Sequence, residues 1–174
     1  KVYKLPVVSL RFFNVYGPRA STLGSYSAVF GVFLAQLLAD TPLTIMGDGS
    51  QSRDFTYVSD AVDAILRAAD SHIVGEVFNV GSGHDPVSVN RLVELLGAKK
   101  TVHIPTRPGE PDITMADVSK IRSALDWRAK VSIEDGVKIM LNNIDYWQEA
   151  PVWTPESIAD AASVWFKCLA YESA

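Results

Sequence analysis

Pro6 Val7 Val8 Ser9 Leu10 Arg11 Phe12 Phe13 is an almost unbroken apolar run close to the start of the chain. Such a run, without in-and-out alternation, suits a strand of a parallel sheet that is buried on both faces. Only Lys1 to Leu5 precede it, an abrupt opening for a natural domain and a first indication that the chain is a fragment. A parallel strand also needs a crossover to its neighbour, most often a helix, so the remainder should alternate strands with helices.

It does. After the turn Gly17 Pro18 and a polar loop to Gly24, Tyr26 to Ala39 reads as an apolar helix stopped by Thr41 Pro42. Leu43 to Met46 and Asp54 to Val58 read as strands on either side of the turn Gly47 Asp48 Gly49 Ser50, and together they could form a hairpin. A helical pattern follows in which Ala61, Ala64, Ile65 and Ala68 share a face, with Ser59 or Asp60 as its cap. Glu76 to Val80 is a strand; Ser88 caps a helix carrying Leu92, Val93, Leu95 and Leu96, which Gly97 ends. Thr101 to Pro105 is a strand before the rigid turn Arg107 Pro108 Gly109 Glu110 Pro111. Two helices follow, near Val118 to Leu125 and Ile133 to Trp147, and the order Thr154 Pro155 Glu156 starts a last one beyond the linker Pro151 Val152 Trp153. Short connections between alternating elements predict an α/β fold.

The composition narrows the function classes. With 174 residues, 48% of them hydrophobic and 21% charged, the chain can bury a core. A net charge of −4 without a Lys/Arg block disfavours nucleic acid and anionic membranes as partners, whereas small anions need only one or two placed arginines. One cysteine, Cys168, excludes an internal disulfide and suits a reducing compartment; it reads as a small apolar residue on a helix. No run approaches a membrane span, no signal sequence opens the chain, and a cytoplasmic location is expected.

Several kinds of chemistry are missing. His72, His84 and His103 are scattered, without partners at metal-ligand spacing, so no metal site is expected. Neither a GxSxG elbow nor a GxxxxGK[ST] phosphate loop occurs. Gly81 Ser82 Gly83 His84 Asp85 Pro86 lies between a strand and a helix, as a dinucleotide fingerprint would, but Pro86 stands where the third glycine belongs. Proline there prevents the close approach of helix and strand, so the segment reads as a plain turn and not as an NAD site.

Four segments taken together carry the strongest signal: Arg11 Phe12 Phe13 Asn14 Val15 Tyr16 Gly17 Pro18 Arg19; Gly47 to Asp60, with Ser52 Arg53 Asp54 Phe55 at its centre; Phe78 Asn79 Val80 Gly81 Ser82 Gly83; and Arg107 Pro108 Gly109 Glu110. In this order they resemble the extended short-chain dehydrogenase/reductase family, and within it the NAD-dependent nucleotide-sugar epimerases and dehydratases. The resemblance covers about residues 5 to 148, and nothing is carried over to the helix from Thr154.

The resemblance implies that Asn14, Arg53 and Arg107 meet the substrate diphosphate. An amide donates to phosphate oxygens without adding charge, and a guanidinium grips two anionic oxygens at once. It further implies that Glu110, where the family often has Asp, reaches the ribose. Met46, at a position where the family often places an aromatic residue, would lie against the nucleobase, and Phe12 beside the nicotinamide of NAD. The family's catalytic YxxxK pair is absent, since none of Tyr3, Tyr16, Tyr26, Tyr57, Tyr146 and Tyr171 has lysine four residues on. The GxxGxxG fingerprint is absent too, and both are expected upstream of Lys1.

The expectation is therefore an α/β fold comprising the C-terminal part of a Rossmann-like parallel sheet interleaved with a small α/β substrate-binding lobe over residues 1–150, and a C-terminal helical extension over 151–174. The intact protein is expected to be a homodimeric nucleotide-sugar 4-epimerase. It would oxidise C4 of the sugar with NAD, let the ring rotate and return hydride to the other face. A 4,6-dehydratase or uronate decarboxylase shares the first step; a non-catalytic nucleotide-sugar binding module is the reading from another class.

Overall fold

The computed structural model describes residues 5–22 and 29–169. In chain order the strands and helices are β1 (Ser9–Phe12), β2 (Asn14–Tyr16), α1 (Val29–Leu38), β3 (Leu43–Met46), β4 (Ser52–Arg53), β5 (Phe55–Tyr57), α2 (Val58–Asp70), β6 (Val77–Val80), β7 (Val87–Ser88), α3 (Val89–Leu95), β8 (Thr101–Ile104), α4 (Ser119–Leu125), α5 (Ile133–Asn142) and α6 (Pro155–Leu169), with a 3-10 turn at Ile144–Trp147 between the last two. Residues 26–28 of the expected first helix lie outside the described residues.

The α/β class is as expected. β1 pairs with β6 in parallel, Ser9 opposite Val77 and Phe12 opposite Val80. β2 pairs with β5 and β3 with β8, also in parallel; among the described residues only the short β4–β7 pair is antiparallel. The hairpin considered for Leu43–Met46 and Asp54–Val58 does not form. Each of these strands finds its partner elsewhere in the chain, β3 against β8 and β5 against β2. The glycine turn between them delivers the chain into β4, which pairs with β7. Gly47 and Gly49 both have positive φ there, 59° and 77°, a conformation that glycine adopts without a Cβ penalty.

Two helix boundaries also differ from the sequence reading. α2 starts at Val58 with Tyr57 as its N-cap and no side-chain cap bond, so neither Ser59 nor Asp60 caps it. Asp60 is buried at 3% exposure. Its carboxylate accepts from the Val131 N–H at 3.1 Å, and its carbonyl from Trp127 Nε1 at 3.1 Å. Tertiary partners have taken the group that local pattern assigned to the cap. The helix expected over Ile133–Trp147 ends at Asn142, and the chain tightens into the 3-10 turn. Asn143 has left the α conformation, and its side-chain amide donates to the Ile139 carbonyl at 2.8 Å. Ser88 and Gly97 act as expected: the Ser88 hydroxyl accepts from the Arg91 N–H, and Gly97 has φ 68° beyond the end of α3. Thr154 caps α6, its hydroxyl accepting from the Ser157 N–H at 3.2 Å, with Pro155 as first helical residue.

The buried apolar residues fall into two clusters. One surrounds Tyr16, Phe30, Phe33, Phe55, Met140 and Trp147, with Tyr16 and Phe30 stacked at 4.4 Å. The other centres on Phe78, Val80, Ile121 and Trp127. The adjoining strands β1 and β2 thus enter different cores.

Candidate functional site

The segment from Arg107 to Ala116 organises the site. At residues 112–114 it lies beside β4: Ser52 N–H donates to the Asp112 carbonyl at 2.8 Å, and Thr114 N–H to the Ser52 carbonyl at 3.1 Å. That seam fixes the two acidic groups and the hydroxyl around it. Upstream, Glu110 Oε1 receives Arg53 Nη2 at 2.9 Å. Downstream, the Thr114 hydroxyl lies 3.5 Å from Asn14 Oδ1, a donor and acceptor separated by 100 positions in sequence. Further on, Ala116 N–H donates to Asp54 Oδ2 at 2.9 Å.

Arg53 is held firmly. Its side chain is 12% exposed and that of Glu110 31%; Nη1 donates to the Ser52 carbonyl at 2.9 Å and approaches the Asp112 carbonyl at 3.4 Å. A guanidinium carries five donors, so among the described residues Nε and half of Nη2 remain for an anion. Asn14 opens β2, opposite Phe55. Its backbone N–H donates to the Asp54 carbonyl at 3.0 Å, and its side chain is on the surface. With Oδ1 facing the Thr114 hydroxyl, the amide hydrogens point away from that contact.

Asp54, next to Arg53, had no role in the sequence reading. It is 1% exposed, and its second oxygen accepts from the Ser82 N–H at 2.7 Å. One buried carboxylate thereby joins β5, the loop after β6 and the late segment. It also explains Gly81, where an added Cβ would run into Asp54 Oδ2 and Ala116 Cβ. The Gly81 Ser82 Gly83 loop is packed against protein, and it leads into β7 before α3 begins at Val89. No helix N-terminus follows the loop directly, so it lacks what a pyrophosphate site needs.

Met46 ends β3 opposite Ile104. The turn after it is pinned by Asn90, whose side chain donates to the Asp48 carbonyl at 2.9 Å and whose N–H donates to the Gly49 carbonyl at 3.0 Å. Met46, Ile104, Pro105 and Arg107 line one side of a cavity of about 250 Å3; the other side comes from α6. That helix, to which no role was assigned from sequence, is fastened to the late segment by Trp165 Nε1, which donates to the Pro108 carbonyl at 2.9 Å. Cys168 is on it as expected, and is exposed. Phe12, at the end of β1, is 42% exposed and is not joined to this group by any described contact.

Asn14, Arg53 and Glu110 are thus brought together around one segment, while Arg107 at its start and Met46 at the end of β3 share the α6 cavity. The parts played by Asp54, Thr114 and Asn90 escaped the sequence reading, as did any role for α6, whose start at Thr154 it had placed. Asp54 sits inside a quoted motif and Asn90 outside all four, and the partners of both are distant in sequence. Among the described residues, no cluster of His, Cys, Asp or Glu could hold a metal ion, and no helix is long and apolar enough to cross a membrane.

The chain is 41% identical over 155 residues to an uncharacterized UDP-glucose epimerase of Bacillus subtilis (strain 168), covering 83% of this chain and 46% of that protein. It is 37% identical over 145 residues to a UDP-N-acetyl-alpha-D-glucosaminuronate decarboxylase of Bacillus cytotoxicus (strain DSM 22905 / CIP 110041 / 391-98 / NVH 391-98), covering 77% and 44%. The crystal structure of UDP-glucuronic acid 4-epimerase from Bacillus cereus, in complex with UDP-glucuronic acid and NAD, matches with a TM-score of 0.71 and 37% identity over 81% of this chain and 46% of that one. The chain spans about half the length of the curated relatives it matches. Residues 1–81 match the NAD dependent epimerase/dehydratase family, the family to which these relatives and this fold also point.

Proposed function

We propose that this chain supplies the nucleotide-sugar binding side of an NAD-dependent 4-epimerase that acts on a UDP-sugar. The observation that carries the reading is the convergence of Arg53, Glu110 and Asn14 on one late segment, from positions far apart in sequence. Convergence of a guanidinium, an outward amide and a carboxylate is what a sugar nucleotide demands. Arg53 and Arg107 take the anionic diphosphate. The Asn14 amide donates to its oxygens without further charge. Glu110 has one oxygen on Arg53 and a second for ribose hydroxyls, so the ion pair also orients the carboxylate.

The dinucleotide and the proton-transferring Tyr/Lys pair would belong to sequence upstream of Lys1, with residues 151–174 as an extension beyond the family's usual pattern. From this chain Phe12 would offer an apolar face to the nicotinamide. The similarity to a decarboxylase keeps open a second reaction of the same binding site, because both begin from a UDP-sugar held by its diphosphate. The test is turnover: the protein together with its upstream sequence, incubated with NAD and UDP-glucose, should form UDP-galactose. Tight, Arg53-dependent binding of UDP-sugars with no turnover of UDP-glucose, UDP-glucuronate or their N-acetylated counterparts would instead identify a binding module.

A further inference from the structure

Of the 15 residues of α6 only Ala162 is buried. A helix that stabilises a fold through packing buries a whole apolar stripe. α6 instead stands off from the body across two cavities, of about 250 and 530 Å3, both of which Arg107 lines. Its hold on the turn Arg107 Pro108 Gly109 Glu110 is specific by contrast. Trp165 Nε1 donates to the Pro108 carbonyl at 2.9 Å, and Leu169 Cδ1 would lie 3.5 Å from a Cβ added at Gly109, so the end of the helix sits over that glycine. We infer that α6 is a brace on this turn, and that Trp165 is a positioning residue that sets Arg107 relative to the Arg53–Glu110 pair.

The inference rests on the assignment of the diphosphate to Arg53 and Arg107, and adds to it a determinant from outside the motif segments. Pro108 and Pro111 each have φ fixed by their rings, which leaves Gly109 as the free joint of the turn. Gly109 stands at φ 75°, and glycine loses more conformational freedom on ordering than any other residue. The carbonyl that Trp165 holds belongs to the peptide group between Pro108 and Gly109, so the indole fixes that joint from outside. On one side of the joint is Arg107; on the other, Glu110 receives Arg53 at 2.9 Å. Setting the joint therefore sets the separation of the two guanidiniums, on which their joint grip of a diphosphate depends.

The brace is itself anchored. Two residues before α6 begins, the Trp153 carbonyl accepts from the buried Gln36 side chain at 2.7 Å, and Trp153 Nε1 donates to the Thr22 carbonyl at 2.9 Å. The helix thus runs from a fixed point on α1 to the turn. The bond from Trp165 is only half-buried, so the Pro108 carbonyl regains water when the N–H is removed and the fold loses little. Binding loses more, because a ligand must then order the turn itself.

The test titrates inorganic pyrophosphate and UDP into the 174-residue chain by calorimetry, for the wild type, Trp165→Phe, Arg107→Ala and the double variant, with melting curves alongside. Trp165→Phe keeps an aromatic body and removes the N–H. It should lose about 3-fold to 10-fold in affinity for both ligands, the ordering cost of one side chain, with a melting temperature within about 3 °C of wild type. In the Arg107→Ala background the same change should lower pyrophosphate affinity by less than about twofold, because the group it positions is gone. Wild-type affinity in Trp165→Phe overturns the positioning role, and so does an equal loss in both backgrounds. A loss of affinity accompanied by a larger fall in melting temperature overturns it too, since α6 would then be a structural support. In those three cases a weakened Arg107→Ala still upholds the diphosphate reading. A wild type that binds neither ligand defeats that reading and this inference with it.

Discussion

Replacing Arg53 by alanine separates binding from architecture, because the structure gives the architectural part a definite size. It donates to Glu110 at 2.9 Å and to the Ser52 carbonyl at 2.9 Å, with its side chain 12% exposed. Hydrogen bonds to charged groups contribute about 1.5 to 3 kcal/mol each. Glu110 is 31% exposed and regains water when the guanidinium leaves, which lowers the loss in stability to about 1 to 2 kcal/mol. For a chain of this size that is a fall in melting temperature of about 2 to 8 °C.

If Arg53 also holds the diphosphate, a second loss appears in binding, about 10-fold to 150-fold in UDP affinity from the same range of bond energies. In the intact enzyme KM should rise more than kcat falls, because the diphosphate is held alike in ground and transition states. Arg53→Lys should recover only part of the affinity, since it restores charge without the planar fork. Arg107→Ala should show the same binding loss. Glu110→Gln breaks the ion pair but leaves the guanidinium in place, so it should cost stability and, with the ribose acceptor weakened, some UDP affinity, while affinity for inorganic pyrophosphate is kept or raised. Calorimetric titration of UDP and pyrophosphate with parallel melting curves reads all four variants. Wild-type affinity in folded Arg53→Ala and Arg107→Ala would falsify the diphosphate assignment and leave Arg53 as a structural clamp.

Asp54→Asn should destabilise the fold by about 2 kcal/mol or more, because an amide can accept only one of the Ser82 and Ala116 N–H groups and turns its own hydrogens toward the other; denaturant unfolding with an unchanged midpoint would refute the role given to this carboxylate. Tyr16→Phe should be neutral or stabilising by about 1 kcal/mol, since the Tyr16 hydroxyl is buried without a hydrogen-bond partner among the described residues and burial pushes its pKa far above the ordinary tyrosine value; a clear fall in melting temperature would show a partner in solution. The chain by itself should release no stoichiometric NAD on acid treatment and convert no UDP-glucose, and either result would overturn the placement of cofactor and catalytic residues upstream. Leu5, Val7 and Phe12, exposed at 67%, 55% and 42% beside a β1 whose described partner is β6 alone, should drive self-association; a monodisperse monomer in light scattering at high concentration would count against it.

The sequence by itself determined the α/β class, most element positions and the ends of several helices. The Ser88 and Thr154 caps and the stop at Gly97 depend on groups within a few residues of one another. Local hydrogen bonding and backbone freedom decide such features wherever the segment ends up. The four motif segments were legible for the same reason, each being a short run of unusual residue types. Only the tertiary structure decided which strand pairs with which, because β3 and β5 have the propensity for a hairpin but gain more by lying parallel to β8 and β2. It also decided that Asp60 is a buried acceptor and not a cap, and that Asp54 joins three segments. The joining of Arg53 to Glu110 and the packing of α6 on the Arg107 loop belong here too. These contacts link residues tens of positions apart, and their free energy comes from burial and from satisfying polar groups that packing has removed from water. No local window of sequence contains both partners, so the geometry of the site waits on the fold.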